Sequence, residues 1–257
     1  MKQSTFVSIV IFLAIAVGII IWWFILGNPD NFFDGTNRQK PNNLMGMVFT
    51  GGYVVPALIA ASIIVITFII ERALSLSKAQ GRGAIATFLK NVQKNLSDNN
   101  IEGALKECER QRGSMANILH AGLSKYQELK KEAKILDAEK QMAEVQRAIE
   151  EATALEMPIL EKNLIILSTI ASIATMLGLF GTVIGMIRAF QALAQAGAPD
   201  AIQLSIGISE ALVNTALGIF AAIVGIISYN FFVNKVDTFT YMIDEASFDM
   251  IQTLKVK

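Results

Sequence analysis

Four stretches of this chain are long and apolar enough to cross a bilayer, and no other feature narrows its fold so far. They cover residues 6–26, 53–70, 163–187 and 202–233, close to or beyond the roughly 20 helical residues that span about 30 Å of hydrocarbon. A backbone in lipid must satisfy its own hydrogen bonds, so each stretch is expected to be a helix. Composition agrees: 53% of the 257 residues are hydrophobic, 17% are charged, and the formal net charge is zero. The balance leaves no basic stripe for nucleic acid. One cysteine, Cys108, and one histidine, His120, allow neither an internal disulfide nor a Cys/His zinc site, so no metal is expected.

The first stretch ends in Trp22, Trp23 and Phe24 without a small-residue cleavage site. It reads as a retained anchor with an interfacial aromatic end, not as a signal peptide. Orientation follows from the basic residues: Arg72, Lys78 and Arg82 follow the second span, Lys162 precedes the third and Lys235 follows the fourth. No Lys or Arg lies between Arg188 and the fourth span. Both termini and the region between spans two and three are therefore expected in the cytoplasm. The expected organisation is an anchor (1–27), an outer segment (28–52), a span (53–70), a cytoplasmic helical domain (71–162), a membrane hairpin (163–233) and a cytoplasmic tail (234–257).

Within the cytoplasmic region, "RGAIATFLKNVQKNL" and "IEGALKECERQ" carry apolar residues at helical spacing, parted by "SDNN", a stop and N-cap signal. From Leu136 a helical pattern runs without glycine into the third span, with Pro158 expected to kink it without breaking it. Charges of alternating sign mark a solvated bundle face. No Walker A loop, Gly-x-Ser-x-Gly or Ser/Lys pairing points to an enzyme.

The last two spans carry the polar groups. If their hairpin reverses at Ala198–Pro199, residues whose numbers sum to about 397 share a depth. Thr182 then lies level with Thr215, and Glu210 lies level with Ile187, beside Arg188. Ser168, Ser172, Thr175 and Thr182 fall on one narrow face of the third span, while Ala211, Thr215, Gly218, Ala222 and Gly225 form a small-residue stripe on the fourth. A hydroxyl in a membrane can satisfy itself on its own helix. A carboxylate cannot, and costs at least about 2.5 to 3.5 kcal/mol to insert. Gln203, Glu210 and Asn214 share a face within reach of Arg188, so an ion pair or network is expected there. Glu210 and Thr215 stand about 140° apart on an ideal helix, so both cannot face one axis without distortion or a contact between subunits.

"GLFGTVIGMIRAF" (178–190), followed by "ISEALVNTALGIFAAIVGIISYNFF" (208–232), resembles the paired motifs of the ExbB/TolQ/MotA proton-channel family, ExbB most of all. The likeness extends over roughly residues 53–235, including "FIIERALSL" at the second span's exit. The N-terminal span departs from the three-span ExbB pattern. The resemblance implies an all-α protein of the bacterial inner membrane, a homopentamer embedded in membrane lipids around an ExbD-like, single-span partner, expected as a dimer inside the ring, that carries a membrane aspartate. It also implies a TonB-like protein to deliver the work, no cofactor, and protons as the coupling ion. By motif, Thr182 and Thr215 match the pore threonines and Glu210 the family's membrane glutamate. A TolQ-like envelope role, a MotA-like stator and a non-channel scaffold are the alternatives.

Overall fold

A computed structural model describes residues 3–33, 38, 40–131, 137–194 and 200–255. The protein is all-helical: these residues hold no strand beyond an isolated bridge between Phe32 and Pro41. The α-helices are α1 (Gln3–Ile20), α2 (Leu44–Phe49), α3 (Val55–Gln80), α4 (Ile85–Ser97), α5 (Ile101–Gln111), α6 (Ser114–Lys131), α7 (Ala138–Glu161), α8 (Leu164–Ala194) and α9 (Ala201–Lys255). Four helical segments are long and apolar enough to cross a membrane, and the chain divides into two compact units.

The first unit comprises residues 1–70 and 165–230. Here α1 continues into a π-helical turn, Ile21–Leu26, closed by a bond from the Gly27 N–H to the Trp22 carbonyl. Asn31 caps that turn, its Nδ2 donating to the carbonyls of Ile25 (2.8 Å) and Leu26 (3.0 Å). Trp22 is buried, stacked on Phe49 with ring centroids 4.9 Å apart. Of the three aromatics expected at the interface only Trp23 and Phe24 are exposed, because Trp22 packs against Phe49 of α2 instead. α1 lies against α3, with Gly18 at the Pro56 carbonyl and Phe6 edge-on to Phe68. Ala61 of α3 meets Ala174 of α8 and Ala221 of α9.

The second unit comprises residues 71–164 and 231–257. The "SDNN" signal acts as expected: Asp98 ends α4, and the Asn100 side chain accepts from the Gly103 N–H at the start of α5 (2.9 Å). Phe88, Val92 and Leu96 line the buried face of α4, and Ile149 of α7 and Met250 of α9 close on Gly122 of α6.

One expectation needs correction. α7 does pass through Pro158 as a helix, but it does not run on into α8: Lys162 is extended (φ −48°, ψ 136°) and Asn163 has φ 62°. Asparagine tolerates such a left-handed φ better than most residues. α9 continues past the fourth apolar stretch to Lys255. Leu136 and the reversal at Ala198–Pro199 lie outside the described residues.

Candidate functional site

α8 and α9 meet along small residues. Gly178 lies against Gly218, Gly185 against Ala211, Gly207 against Ala189, and Gly225 against Ala171. The numbers in each pair sum to 396, one short of the register expected from the hairpin. A methyl group added at Gly185 would sit 2.6 Å from the Ala211 nitrogen and the Gly207 carbonyl oxygen, so the helices approach backbone to backbone. In lipid, where apolar burial does not drive association, such contact provides the packing that holds helices together.

This interface fixes where the polar side chains point. In an antiparallel pair, the residue after an interface residue falls on one flank of the hairpin in both helices, and the residue before it on the other. Thr182 follows Gly181 and Thr215 follows Asn214, so the two threonines share a flank as well as a depth. Arg188 precedes Ala189 and Glu210 precedes Ala211, which puts the charged pair on the opposite flank.

On the threonine flank both side chains are half-buried. Thr182 Oγ1 donates to the Leu179 carbonyl (2.6 Å) and Thr215 Oγ1 to that of Ala211 (3.2 Å). The rest of the stripe does likewise: Ser168 donates to Ile165 (3.0 Å), Ser172 to Ser168 (3.1 Å) and Thr175 to Ala171 (3.1 Å). Each hydroxyl proton rests on its own helix, which leaves an oxygen lone pair free to accept from a protonated carboxyl or a water. Donating to a carboxylate would require only rotation about the C–O bond.

On the other flank Arg188 Nη1 donates to both oxygens of Glu210, at 2.8 and 2.7 Å. The glutamate side chain is 1% exposed and the arginine 45%, so the pair is shielded at one end and open at the other. The Arg188 guanidinium carbon also lies 5.9 Å from the Tyr53 ring centroid. Gly52, at φ 75°, borders the carboxylate so closely that any Cβ there would collide with Glu210 Oε1. One turn along α9, the buried Asn214 donates to the Gly51 carbonyl (2.8 Å). Its own Oδ1 has no hydrogen-bond partner among the described residues.

The expected network is therefore partly assembled. Arg188, Glu210 and Asn214 converge on the Gly51–Gly52 bend, a partner with no signature in the sequence. Gln203 is exposed, and its backbone N–H bonds the Asp200 carboxylate (3.1 Å). It shares the face of Glu210 but stands about 10 Å further along the axis, two turns away. Glu210 is not brought together with the threonines with which it was grouped, as their angular separation foretold. No cluster of metal-binding side chains occurs among the described residues.

Membrane-spanning helices, a glycine-lined hairpin and polar groups at mid-span define an integral membrane protein built around a polar helix pair. Residues 110–245 match the MotA/TolQ/ExbB proton channel family, and the chain belongs to it. It is 36% identical to the Tol-Pal system protein TolQ of Pseudomonas aeruginosa over 135 residues, 50% of this chain and 58% of that one. Against an ExbB-like biopolymer transport protein of Synechocystis it is 32% identical over 185 residues, 71% and 81% of the two chains. With the biopolymer transport protein ExbB of Aquifex aeolicus it shares 42% identity over 77 residues, 30% and 52%. The family is one of proton channels, not of enzymes.

Proposed function

We propose that the chain is an ExbB-like, ring-forming subunit of an inner-membrane motor that converts proton motive force into mechanical work for TonB-dependent outer-membrane transport. The observation that carries this reading is the pairing of Thr182 and Thr215 at one depth on one flank of the hairpin, half-exposed where a partner helix could pass. Five copies would enclose an ExbD-like pair of single-span helices, whose membrane aspartate takes a proton beside the threonines and releases it toward the cytoplasm. Each charge crossing the potential supplies about 2.3 kcal/mol per 100 mV, so several protons are needed per substantial step. Glu210, held by Arg188 on the other flank, would shape the wall of the path and not carry the proton.

Thr182→Val with Thr215→Val keeps side-chain volume and removes both hydroxyls. The double variant is expected to leave the mass of the purified complex unchanged by native mass spectrometry. Its partner-dependent proton flux into dye-loaded liposomes should fall to background, and unchanged flux would sink the pore assignment. A TolQ-like role is the second reading, favoured by the similarity to TolQ over half the chain. The co-purifying partner would separate the two.

A further inference from the structure

Asn214 of α9 is 0% exposed, yet only half of its amide is used. Nδ2 donates to the Gly51 carbonyl (2.8 Å), a bond between residues 163 positions apart, while Oδ1 has no hydrogen-bond partner among the described residues. An unpaired acceptor in a buried site costs stability, and a leucine of similar shape would fill the same space without that loss. What asparagine adds at this position is the donor to Gly51.

The path of that donor is shaped on both sides. At Gly181 of α8 an added Cβ would collide with the Cβ, Cγ and Nδ2 of Asn214, so the missing side chain is the slot in which the amide lies. At the other end stands the bend that leads into α3. Gly51 accepts from the amide, and Gly52, at φ 75°, faces the Arg188–Glu210 pair: an added Cβ there would collide with Glu210 Oε1 and lie 3.5 Å from Arg188 Nη1. Asn214 therefore holds one residue of the bend while the next residue covers the ion pair. The Glu210 side chain is left 1% exposed although its partner is 45% exposed.

We infer that Asn214 is a positioning residue that latches the Gly51–Gly52 bend over Glu210 and so keeps this carboxylate from exchanging protons with water. The latch confines proton traffic in the hairpin to the flank of Thr182 and Thr215, a consequence that rests on the pore reading. The latch itself stands on geometry alone. Gly181 and Asn214 each directly precede one of the two threonines, so a single contact between α8 and α9 closes the charged flank at the level where the other flank presents its hydroxyls.

The test reads the access of a reagent to Glu210. Dicyclohexylcarbodiimide is apolar and modifies a carboxyl group within a membrane as that group takes up a proton. Its rate at Glu210 is followed by peptide mass spectrometry on the complex purified from its native membrane and returned to liposomes, with Glu210→Gln fixing the background. Asn214→Leu keeps the volume and removes the donor. Labelling should rise about three- to tenfold, the population change that one neutral hydrogen bond controls. Gly181→Ala fills the slot and leaves Asn214 in place, so it should raise the rate in the same way, and it decides the matter alone if Asn214→Leu does not fold. Gly225→Ala crowds the same helix pair against Ala171, away from the bend. It is expected to lower the melting temperature with labelling at the wild-type rate. Wild-type labelling in Asn214→Leu or in Gly181→Ala overturns the inference. So does an equal rise in Gly225→Ala, which would reveal general loosening of the hairpin instead of a latch. A wild-type complex without partner-dependent proton flux would count against the pore reading, and the labelling rates would still decide the role of Asn214.

Discussion

At Glu210 and Arg188 the two halves of an ion pair sit in unequal surroundings, and this predicts unequal mutants. The carboxylate is sealed against Gly52, whereas nearly half of the arginine side chain is open. Arg188→Met strands a buried charge, a change that costs about 3 to 5 kcal/mol when both partners are deeply buried and less where one is screened. Glu210→Gln removes the charge itself and leaves an oxygen for Arg188 to bond. The expected order of thermal stability in detergent is wild type, then Glu210→Gln, then Arg188→Met, with the double variant Arg188→Met/Glu210→Gln above Arg188→Met alone. Equal melting temperatures for Arg188→Met and wild type would mean that the pair contributes nothing to the hairpin. This pair was legible in the sequence because charges stand out in apolar runs and antiparallel numbering brings them level. The partner of Asn214 was not, since a backbone carbonyl 163 positions away carries no signature. Gln203 was included on angular phase alone, and phase is blind to a separation of two turns.

Elements were readable wherever periodicity and caps agreed, as at Asp98 and Asn100, and unreadable where tertiary contacts override local preference. Nothing in "LEKNLIIL" announces that Asn163 leaves the helix, because asparagine is unexceptional within a polar helix. The full burial of Arg72 was likewise hidden, since in the sequence it reads as one of several cations that follow the second span. α5 offers a test of the bundle at this scale. Cys108 is buried, and its thiol pKa is pushed up to about 12 by burial, with the charges of Glu107 and Glu109 adding to the effect. A raised thiol pKa means that the folded bundle disfavours the thiolate. The stability that follows is complete below the unfolded thiol value near pH 8.5 and is lost progressively as pH rises toward 12. Native protein at pH 8 should therefore resist iodoacetamide and react once denaturant opens the bundle. Cys108→Ala should flatten the alkaline limb of the stability curve measured between pH 8 and 10.5. Rapid labelling of the native protein would contradict the burial.

For the whole molecule, the four apolar segments leave two ways to thread the chain through a membrane, and the basic residues favour one. Arg72, Lys78 and Arg82 cluster after one span, and Lys162 and Lys235 flank others at the corresponding ends. The connection between α8 and α9 has neither Lys nor Arg beyond Arg188. Lysines and arginines near span ends are retained on the cytoplasmic side during insertion, so residues 71–162 and 234–257 are expected inside and residues 28–52 outside. Arg38 and Lys40 oppose that assignment, but they are outnumbered, and Arg38 is engaged over the rings of Trp23 and Phe49 at 5.2 and 5.6 Å. The proton reading depends on this threading, because it decides which end of the threonine flank faces the acidic side of the membrane. In a Cys108→Ala background, Asn42→Cys and Asp98→Cys each place one thiol at an exposed site. A membrane-impermeant maleimide applied to spheroplasts should modify the cysteine at position 42 at once, and that at position 98 only after permeabilisation. The reverse pattern would invert the direction of proton flow through the hairpin and place the α4–α7 bundle outside. Labelling of both sites without permeabilisation would mean that residues 53–70 do not cross the membrane.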